Sequence, residues 1–389
     1  MSFCSKELNY AKVKELAREF GVVDLNCSTI ENDPDIAAAL ALAIFQNPNI
    51  TYDELKAAAT RRKVQVCGKD IIGFVPIYLT NHCAGECKMC GMRHTNKDLV
   101  RQFATKSVII QQLHYLYEEQ DMRGVAFLTG EFNDDYTRKA NSFIVGYALD
   151  QALEMGFEHV YMNIGSLQQE NMEIIADFVG KENRSRVAMC VNQETYNEHI
   201  YRSFMAANGG MAVKADFKRR MESHDIWLSL GFSADQIGSL LGLNMNVGEE
   251  VAGLCAHAKY LMKNGAKTVF FSLPRLKPAL GVSHQTKVND QTIKRIIATL
   301  AYVAPECAVM VTTRETMEMQ DEVLSMMGCL APGTAVVGAY GRGSTMPNDE
   351  KVAQFQIADT RLPKAIFDRV ETESDYTIID YLPKRKATA

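Results

Sequence analysis

The sequence lacks a long hydrophobic run, an excess of positive charge and a dense set of cysteines. Its longest apolar stretch, about Ala37–Phe45, is far shorter than the ~20 residues of a membrane helix, and the charged N-terminus lacks a signal-peptide pattern. Lysine plus arginine number 42 against 47 aspartate plus glutamate, which gives nucleic-acid binding no compositional support. Ten cysteines in 389 residues favour metal or catalytic roles in a reducing compartment over a disulfide scaffold. We therefore expect a cytoplasmic globular protein with no membrane or nucleic-acid partner.

The first seventy residues carry helix signals and no strand alternation. Apolar residues recur at helical spacing over 5–20, and Asp33-Pro34 predicts the start of a second helix. Thr51 with Glu54 three residues later forms a capping box for a third helix. These signals predict an N-terminal helical extension over 1–70.

From residue 71 the pattern changes to short apolar runs separated by stretches long enough for a crossover helix. Such continuous, β-branched runs are typical of buried parallel strands. Eight alternations in about 270 residues predict an α/β protein built as a complete (β/α)8 TIM-type barrel over 71–345. A short C-terminal extension over 346–389 is predicted to pack on the barrel. The main alternative is a doubly wound open sheet, which alternation alone does not exclude. The predicted strands are Ile71–Leu79, Val125–Leu128, Val160–Ile164, Val187–Val191, Ile226–Leu230, Thr268–Leu273, Ala308–Thr312 and Thr334–Val337.

Three cysteines follow the first predicted strand in one polar loop. Cys83, Cys87 and Cys90 have the spacing C-x3-C-x2-C, and a loop at the carboxyl end of a barrel strand can bring them to one metal site. Thiolates are soft ligands that suit iron–sulfur clusters or zinc. Zinc would need a fourth ligand, which His82 or His94 could supply. A cubane held by three cysteines would instead leave one iron open to a substrate or cofactor.

This cysteine loop resembles the signature of the radical S-adenosylmethionine (SAM) enzymes. The resemblance implies a [4Fe-4S] cluster whose open iron chelates SAM. It also implies reductive cleavage of SAM to methionine and a 5′-deoxyadenosyl radical, which abstracts a substrate hydrogen. An electron donor such as flavodoxin or ferredoxin is implied as well. Met89 departs from the family, in which the residue before the third cysteine is usually aromatic.

Further strand-end segments resemble the tyrosine lyases of that superfamily, which act in thiamine biosynthesis and hydrogenase maturation, and more distantly biotin synthase. Gly130 and Glu131 match the family's Gly-Glu motif, whose oxygens accept hydrogen bonds from the SAM ammonium. By the same resemblance Glu194, in a Gln-Glu-Thr-Tyr segment, binds the SAM ribose or amino end. Arg220, in a Lys-x-Asp-Phe-x-x-Arg segment, binds the SAM carboxylate, for which a guanidinium is suited.

Two arginines mark the predicted substrate end of the site. Arg314 ends the seventh predicted strand in Thr-Thr-Arg-Glu, and Arg275 ends the sixth in Ser-Leu-Pro-Arg; both segments resemble the lyase group. A cation at the barrel mouth can anchor a carboxylate, and we assign that role to Arg314. Arg275 is either a second catalytic residue or part of a salt bridge that stabilises its loop. The resemblance implies fragmentation of a free amino acid by Cα–Cβ cleavage.

Departures from the lyase pattern leave the substrate open. No cysteine follows Cys329, which disfavours the second cluster of the hydrogenase-maturation lyase. The segment 330–337 lacks the Ser/Thr-rich run of the lyases. This departure favours an alternative, a radical SAM carbon-skeleton rearrangement or other biosynthetic step on a different small amino or carboxylic acid. A zinc-binding or purely structural iron–sulfur module would leave the strand-end Glu and Arg residues without a role. Cys190 and the other cysteines outside the loop are predicted to be structural.

Overall fold

A parallel sheet surrounded by helices forms the centre of the protein. The structure is a computed structural model that describes residues 3, 9–27, 29–206, 212–282, 288–332 and 362–382. Its strands are β1 (Asp70–Gly73), β2 (Val75–Tyr78), β3 (Gly124–Leu128), β4 (His159–Asn163), β5 (Val187–Cys190), β6 (Ala234–Gly238), β7 (Thr268–Ser272), β8 (Ala308–Val311), β9 (Cys329–Leu330) and β10 (Thr377–Ile378). Its α-helices are α1 (Tyr10–Glu19), α2 (Pro34–Gln46), α3 (Tyr52–Cys67), α4 (Lys106–His114), α5 (Asp135–Met155), α6 (Gln169–Asn183), α7 (Glu198–Met205), α8 (Phe217–Ser229), α9 (Val247–Lys263), α10 (Asp290–Val303), α11 (Met317–Val323) and α12 (Pro363–Glu373).

The sheet closes on itself as a barrel. Phe74 divides the first barrel strand, so that β1 pairs with β9 through Ile72 and Cys329 while β2 pairs with β3 through Val75 and Val125. From β3 to β9 each strand pairs in parallel with the next one along the chain. An open doubly wound sheet would have no pairing between its first and last strands. The predicted (β/α)8 barrel is therefore confirmed.

The fifth barrel strand is where the sequence prediction was wrong. The apolar run Ile226–Leu230 lies at the end of α8, where Trp227 is fully buried and donates its indole N–H to the backbone of β6. The true strand, β6, contains Asp235 and Gln236, whose buried side chains accept or donate hydrogen bonds inside the protein. Hydrophobicity alone could not identify it. The other predicted strands up to residue 312 overlap observed ones. The predicted strand Thr334–Val337 lies outside the described residues, and β9 is the eighth barrel strand.

Apolar side chains fill the barrel interior. Cys190 and Cys329 belong to this packed layer, and Cys190 donates to the side-chain oxygen of Gln236 at 3.2 Å. The layer contains Phe74, Ala126, Tyr161, Ala188, Cys190, Ala234, Phe270, Met310, Cys329 and Ala331. A filled interior confines open space to the ends of the barrel.

The C-terminal segment covers the amino ends of the barrel strands. β10 pairs in parallel with the start of β1. Two residues later, the backbone oxygen of Asp380 accepts from the N–H of Arg123, just before β3. The carboxylate of Asp380 is fully buried and lies 2.8 Å from Nδ1 of His159, at the start of β4. The carboxyl ends of the strands, where the sites of TIM-type barrels lie, are on the opposite face.

The N-terminal helices pack on the outside of the barrel. α2 lies against α9 and α3 against α10. Both hydrogen bonds of the predicted Thr51–Glu54 capping box are present at the start of α3. Arg295 of α10 donates to four backbone oxygens within 44–50, at the end of α2 and in the turn that follows it. Among the described residues, no helix is both long and apolar enough to span a bilayer.

Candidate active site

One cavity at the carboxyl ends of the barrel strands brings together most of the predicted site residues. Its volume is about 200 Å³. Parallel strands in a barrel present all their carboxyl ends on one face, so residues far apart in the chain meet there. The predicted residues that line it are Cys83, Cys87, Cys90, Gly130, Glu131, Glu194, Arg220 and Arg314.

Hydrogen bonds close the cysteine loop onto the end of β2. The Asn81 side chain donates to the oxygen of Val100 at 2.8 Å and accepts from the N–H of Gln102 at 2.7 Å. The guanidinium of Arg101 collects backbone oxygens along the loop, those of Asn81, Met92, Arg93 and Asn96. These bonds satisfy the loop's own polar groups and fix the segment that carries the three cysteines.

Burial disfavours ionisation of two of the three cysteine thiols. Burial raises the pKa of Cys83 to about 11 and also raises the pKa of Cys87, which Lys214 partly opposes. Metals bind thiolates, so metal binding here would release protons. Within the described ranges, no three His, Cys, Asp or Glu side chains converge closely enough to hold a single metal ion. A cubane does not require that convergence, because each cysteine ligates a different iron.

Gly130 allows β3 to approach the cysteine loop. A Cβ at this position would lie 2.2 Å from the oxygen of His82 and 2.6 Å from Cβ of Cys83. The following residue, Glu131, accepts a hydrogen bond at its backbone oxygen from the N–H of Ala84 at 2.7 Å. The strand end and the loop are therefore in direct backbone contact, which only glycine permits.

Two carboxylates and two cations form a buried cluster beside the cysteines. Arg220 donates to Glu131 at 2.6 Å, and Lys214 donates to Glu194 at 2.6 Å. Longer contacts cross-link them, 3.5 Å from Arg220 to Glu194 and 3.8 Å from Lys214 to Glu131. Glu131 is 7% exposed and Arg220 only 2%. The formal charges cancel within this charge cluster, which lowers the cost of burying them.

The charges around Glu194 favour its ionised form. Burial raises the pKa of its carboxyl group, but the charges of Lys214 and Arg220 outweigh burial and lower the pKa overall. Its backbone is unusual, with φ of +71°, in the left-handed region that costs a non-glycine residue about 1–3 kcal/mol. Its N–H donates to Gly238 at 3.2 Å, and its oxygen accepts from Leu240 at 2.9 Å.

The start of α8 places Arg220. Asp216 caps this helix by accepting from the N–H of Arg219 at 3.0 Å, which sets Arg220 in the first turn. The Nε of Arg220 then donates to the backbone oxygen of Asn192 at 2.6 Å. Helix capping thus carries the guanidinium towards the loop that follows β5.

Lys214 is a site residue that the sequence does not single out. It lies on a short 3-10 turn, Val213–Ala215, just before α8, and it lines the cavity between the two carboxylates. The only sequence signal is its position six residues before Arg220 in the same lyase-like segment. The direction of its side chain depends on this turn, which the sequence pattern does not predict.

The two predicted substrate arginines lie in different surroundings. Arg314 lines the cavity, and its Nη1 donates to the backbone oxygen of Arg275 at 2.8 Å. Arg275 itself lies outside the described lining of the cavity. Its Nε donates to Glu315 at 2.9 Å and its Nη1 to Asp290 at 2.6 Å. This is the loop-stabilising salt bridge that the sequence allowed as one alternative, and a catalytic role for Arg275 gains no support from it.

Comparisons with known proteins agree with the motifs at the strand ends. A family model described as the Biotin and Thiamin Synthesis associated domain matches residues 272–372. The 2-iminoacetate synthase of Salmonella typhimurium is 25% identical over 351 residues, which cover 88% of this chain and 85% of that protein. This chain is similar to the 2-iminoacetate synthases. The predicted resemblance to the tyrosine-lyase group is thereby confirmed.

Solved structures agree with the fold. The FeFe-hydrogenase maturase HydG from Carboxydothermus hydrogenoformans superposes with a TM-score of 0.73 at 22% identity, covering 94% of this chain and 79% of that one. Methylornithine synthase (PylB) gives a TM-score of 0.65 at 15% identity, covering 94% of this chain and 97% of that one. At these identities the likeness is one of architecture, and it supports the barrel.

Proposed function

We propose that this protein is a radical SAM enzyme that fragments a free amino acid by Cα–Cβ cleavage, in the manner of the tyrosine lyases. The observation that carries the proposal is the single cavity in which three loop cysteines adjoin the charge cluster. Similarity to the 2-iminoacetate synthases over most of both chains supports the reaction class. A location in the cytoplasm stays a prediction.

Cys83, Cys87 and Cys90 would hold a [4Fe-4S] cluster. They are soft donors on one loop and they line one cavity. Among the described residues, no three His, Cys, Asp or Glu side chains form a site for a single metal ion. When bound, the cluster supplies the electron that cleaves SAM to methionine and a 5′-deoxyadenosyl radical. A flavodoxin or ferredoxin would deliver that electron from outside.

The charge cluster would bind the polar end of SAM. An ammonium is a donor-only group and needs acceptors, which Glu131, Glu194 and the backbone oxygen of Gly130 offer in the cavity wall. Arg220 can pair with the SAM carboxylate through a guanidinium that burial has already removed from water. The amino and carboxylate groups of SAM carry no net charge together, so their binding would exchange ion-pair partners within the charge cluster without adding net charge to it.

Arg314 would anchor the carboxylate of the substrate amino acid. It lines the same cavity as the cysteines, and apolar residues such as Phe74, Ala126 and Met310 line the part of the wall that faces the barrel interior. An apolar wall limits the access of water to a reactive radical. Fixing the substrate at its carboxylate holds the hydrogen to be abstracted in one position.

Product analysis tests this function. Anaerobically reconstituted protein receives SAM, dithionite and tyrosine, and mass detection follows 5′-deoxyadenosine and p-cresol. We expect both products from the wild type and neither from Cys87→Ala. Cys255→Ala, which removes a buried thiol on α9 away from the cavity, should retain both.

Two results would contradict the proposal at different levels. Undiminished 5′-deoxyadenosine from Cys87→Ala would refute the cluster assignment. Deoxyadenosine without consumption of tyrosine would refute tyrosine cleavage while keeping the SAM chemistry, and it would favour the alternative of a rearrangement on another small acid. A screen of other amino and carboxylic acids would then identify the substrate.

A further inference from the structure

The loops after β5 and β6 share one buried carboxylate outside the cavity. Glu250 lies in the first turn of α9 and is 3% exposed. Its Oε1 accepts from the hydroxyl of Thr195 at 2.6 Å and the amide of Asn244 at 2.8 Å. Its Oε2 accepts from the hydroxyl of Ser239 at 2.7 Å and the N–H of Tyr196 at 3.1 Å. One side chain therefore ties two active-site loops together.

Three of these four donors lie next to the strained residue of the site or between its backbone partners. Thr195 and Tyr196 directly follow Glu194, the residue with φ of +71°. Ser239 lies between Gly238 and Leu240, the two residues whose backbones bond to Glu194. A strained conformation persists only where the surroundings over-determine it. Glu250 therefore bonds to both of the segments that the backbone hydrogen bonds of Glu194 join.

We propose that Glu250 is a positioning residue for SAM binding, because it fixes the left-handed backbone of Glu194 and so directs the Glu194 carboxylate to Lys214 in the cavity. This inference rests on the proposed function, in which Glu194 contacts SAM. Glu250 itself does not line the cavity. It acts through Thr195, Tyr196 and Ser239.

The four hydrogen bonds to Glu250, which we call the clamp, require a carboxylate at this position. An ionised carboxylate offers about four lone-pair sites and no donor, which matches four donors. The N–H of Tyr196 is an obligate donor to one oxygen, and the amide of Asn244 donates to the other. A glutamine at 250 would direct its own NH2 group at one of these donors. Burial raises the pKa of Glu250, and the hydrogen bonds from Thr195, Ser239, Asn244 and Tyr196 oppose that rise.

The test uses full-length reconstituted protein and Glu250→Gln. Iron content and the EPR spectrum of the reduced cluster are measured first without SAM, and the SAM concentration that half-saturates the spectral change is measured next. We expect a normal iron content and SAM-free spectrum, with half-saturation raised about 10- to 100-fold. The matched control is Glu249→Gln, which alters contacts to Asn197 and Asn244 but none to Thr195, Tyr196 or Ser239. It should stay within about twofold of the wild type.

A double variant separates positioning from a purely structural role. If Glu250 acts through Glu194, adding Glu250→Gln to Glu194→Gln should raise half-saturation no further, because coupled residues are not additive. Additive effects, or half-saturation of Glu250→Gln within twofold of the wild type, would overturn the proposal. If Glu250→Gln does not bind iron, Thr195→Val and Ser239→Ala decide, since each removes one donor and should raise half-saturation several-fold.

Failure of the proposed function gives a different result. In that case the spectrum of the wild type itself would not respond to SAM, and Glu194→Gln would behave like the wild type. A wild-type response that weakens in Glu194→Gln but not in Glu250→Gln would refute the clamp alone.

Discussion

Gly130→Ala should displace the cysteine loop without changing any polar group of the site. The added Cβ would lie 2.2 Å from the oxygen of His82, where ordinary contact begins near 3.4 Å. The difference requires a movement of about 1.2 Å between the end of β3 and the loop. The Cβ would also lie 2.7 Å from Cα of Cys83. Because these are backbone atoms, no change of rotamer relieves the clash.

The size of the effect follows from that movement. Forcing an extra methyl group into a well-packed contact costs typically about 1–3 kcal/mol of unfolding free energy. A misplacement of about 1 Å in a reacting constellation costs about 100-fold in rate. We therefore expect Gly130→Ala to lower the rate of 5′-deoxyadenosine formation about 100-fold per iron-loaded chain, with a modest loss of stability.

The assay compares deoxyadenosine formation, iron content and urea unfolding in two alanine variants. The control is Gly248→Ala in α9, where the atoms nearest to the new Cβ are all at the ends of side chains: Leu42 at 2.8 Å, Gln46 at 3.0 Å and the hydroxyl of Tyr10 at 3.3 Å. Alanine also favours the helix there. A rate for Gly130→Ala within twofold of the wild type, at normal iron content, would refute the claim that the backbone contact positions the cysteines.

Two further predictions concern residues away from the cavity. Arg275→Met removes the guanidinium beside Glu315, whose side chain is 2% exposed. The unfolding free energy measured in urea should fall by about 3–5 kcal/mol, and the SAM concentration for half-saturation should stay unchanged. Unchanged stability with weakened SAM binding would assign Arg275 to the site instead. Burial lowers the pKa of His159, but the hydrogen bond to Asp380 and the charges of Asp380 and Glu158 together outweigh burial and raise the pKa above its ordinary 6.5. The pair therefore stabilises the fold fully below pH 6.5, and that stabilisation is lost as pH rises through the raised pKa. Urea unfolding across this range should show the loss in the wild type and not in His159→Gln, and equal pH profiles would contradict the assignment.

The features that could be predicted from the sequence are those encoded within short segments. The spacing of Cys83, Cys87 and Cys90 lies within eight residues, and the Thr51–Glu54 capping box within four. The strand–helix alternation of the barrel is likewise local, because each apolar run indicates a buried strand without reference to distant residues. Placement of Glu131, Glu194 and Arg220 at strand ends and a helix start then followed from the architecture.

The features that could not be predicted depend on partners distant in the chain. β6 was not predicted as a strand because its Asp235 is polar and is buried as the partner of His224. Lys214 and Glu250 are ordinary charged residues in sequence, and their importance arises only where folding brings Glu194 and Thr195 to them. Buried polar contacts of this kind have no period or spacing that a sequence pattern can show.

The most direct test of the central claim is the EPR spectrum of the reduced, iron-reconstituted protein before and after SAM is added. We expect a [4Fe-4S] signal that changes when SAM binds, and loss of that SAM-responsive signal in Cys87→Ala. Uptake of zinc without such a signal would refute the assignment of an iron–sulfur cluster to this loop. An iron–sulfur signal on which SAM has no effect would refute the radical SAM assignment, because Cys83, Cys87 and Cys90 would then hold no SAM-binding cluster.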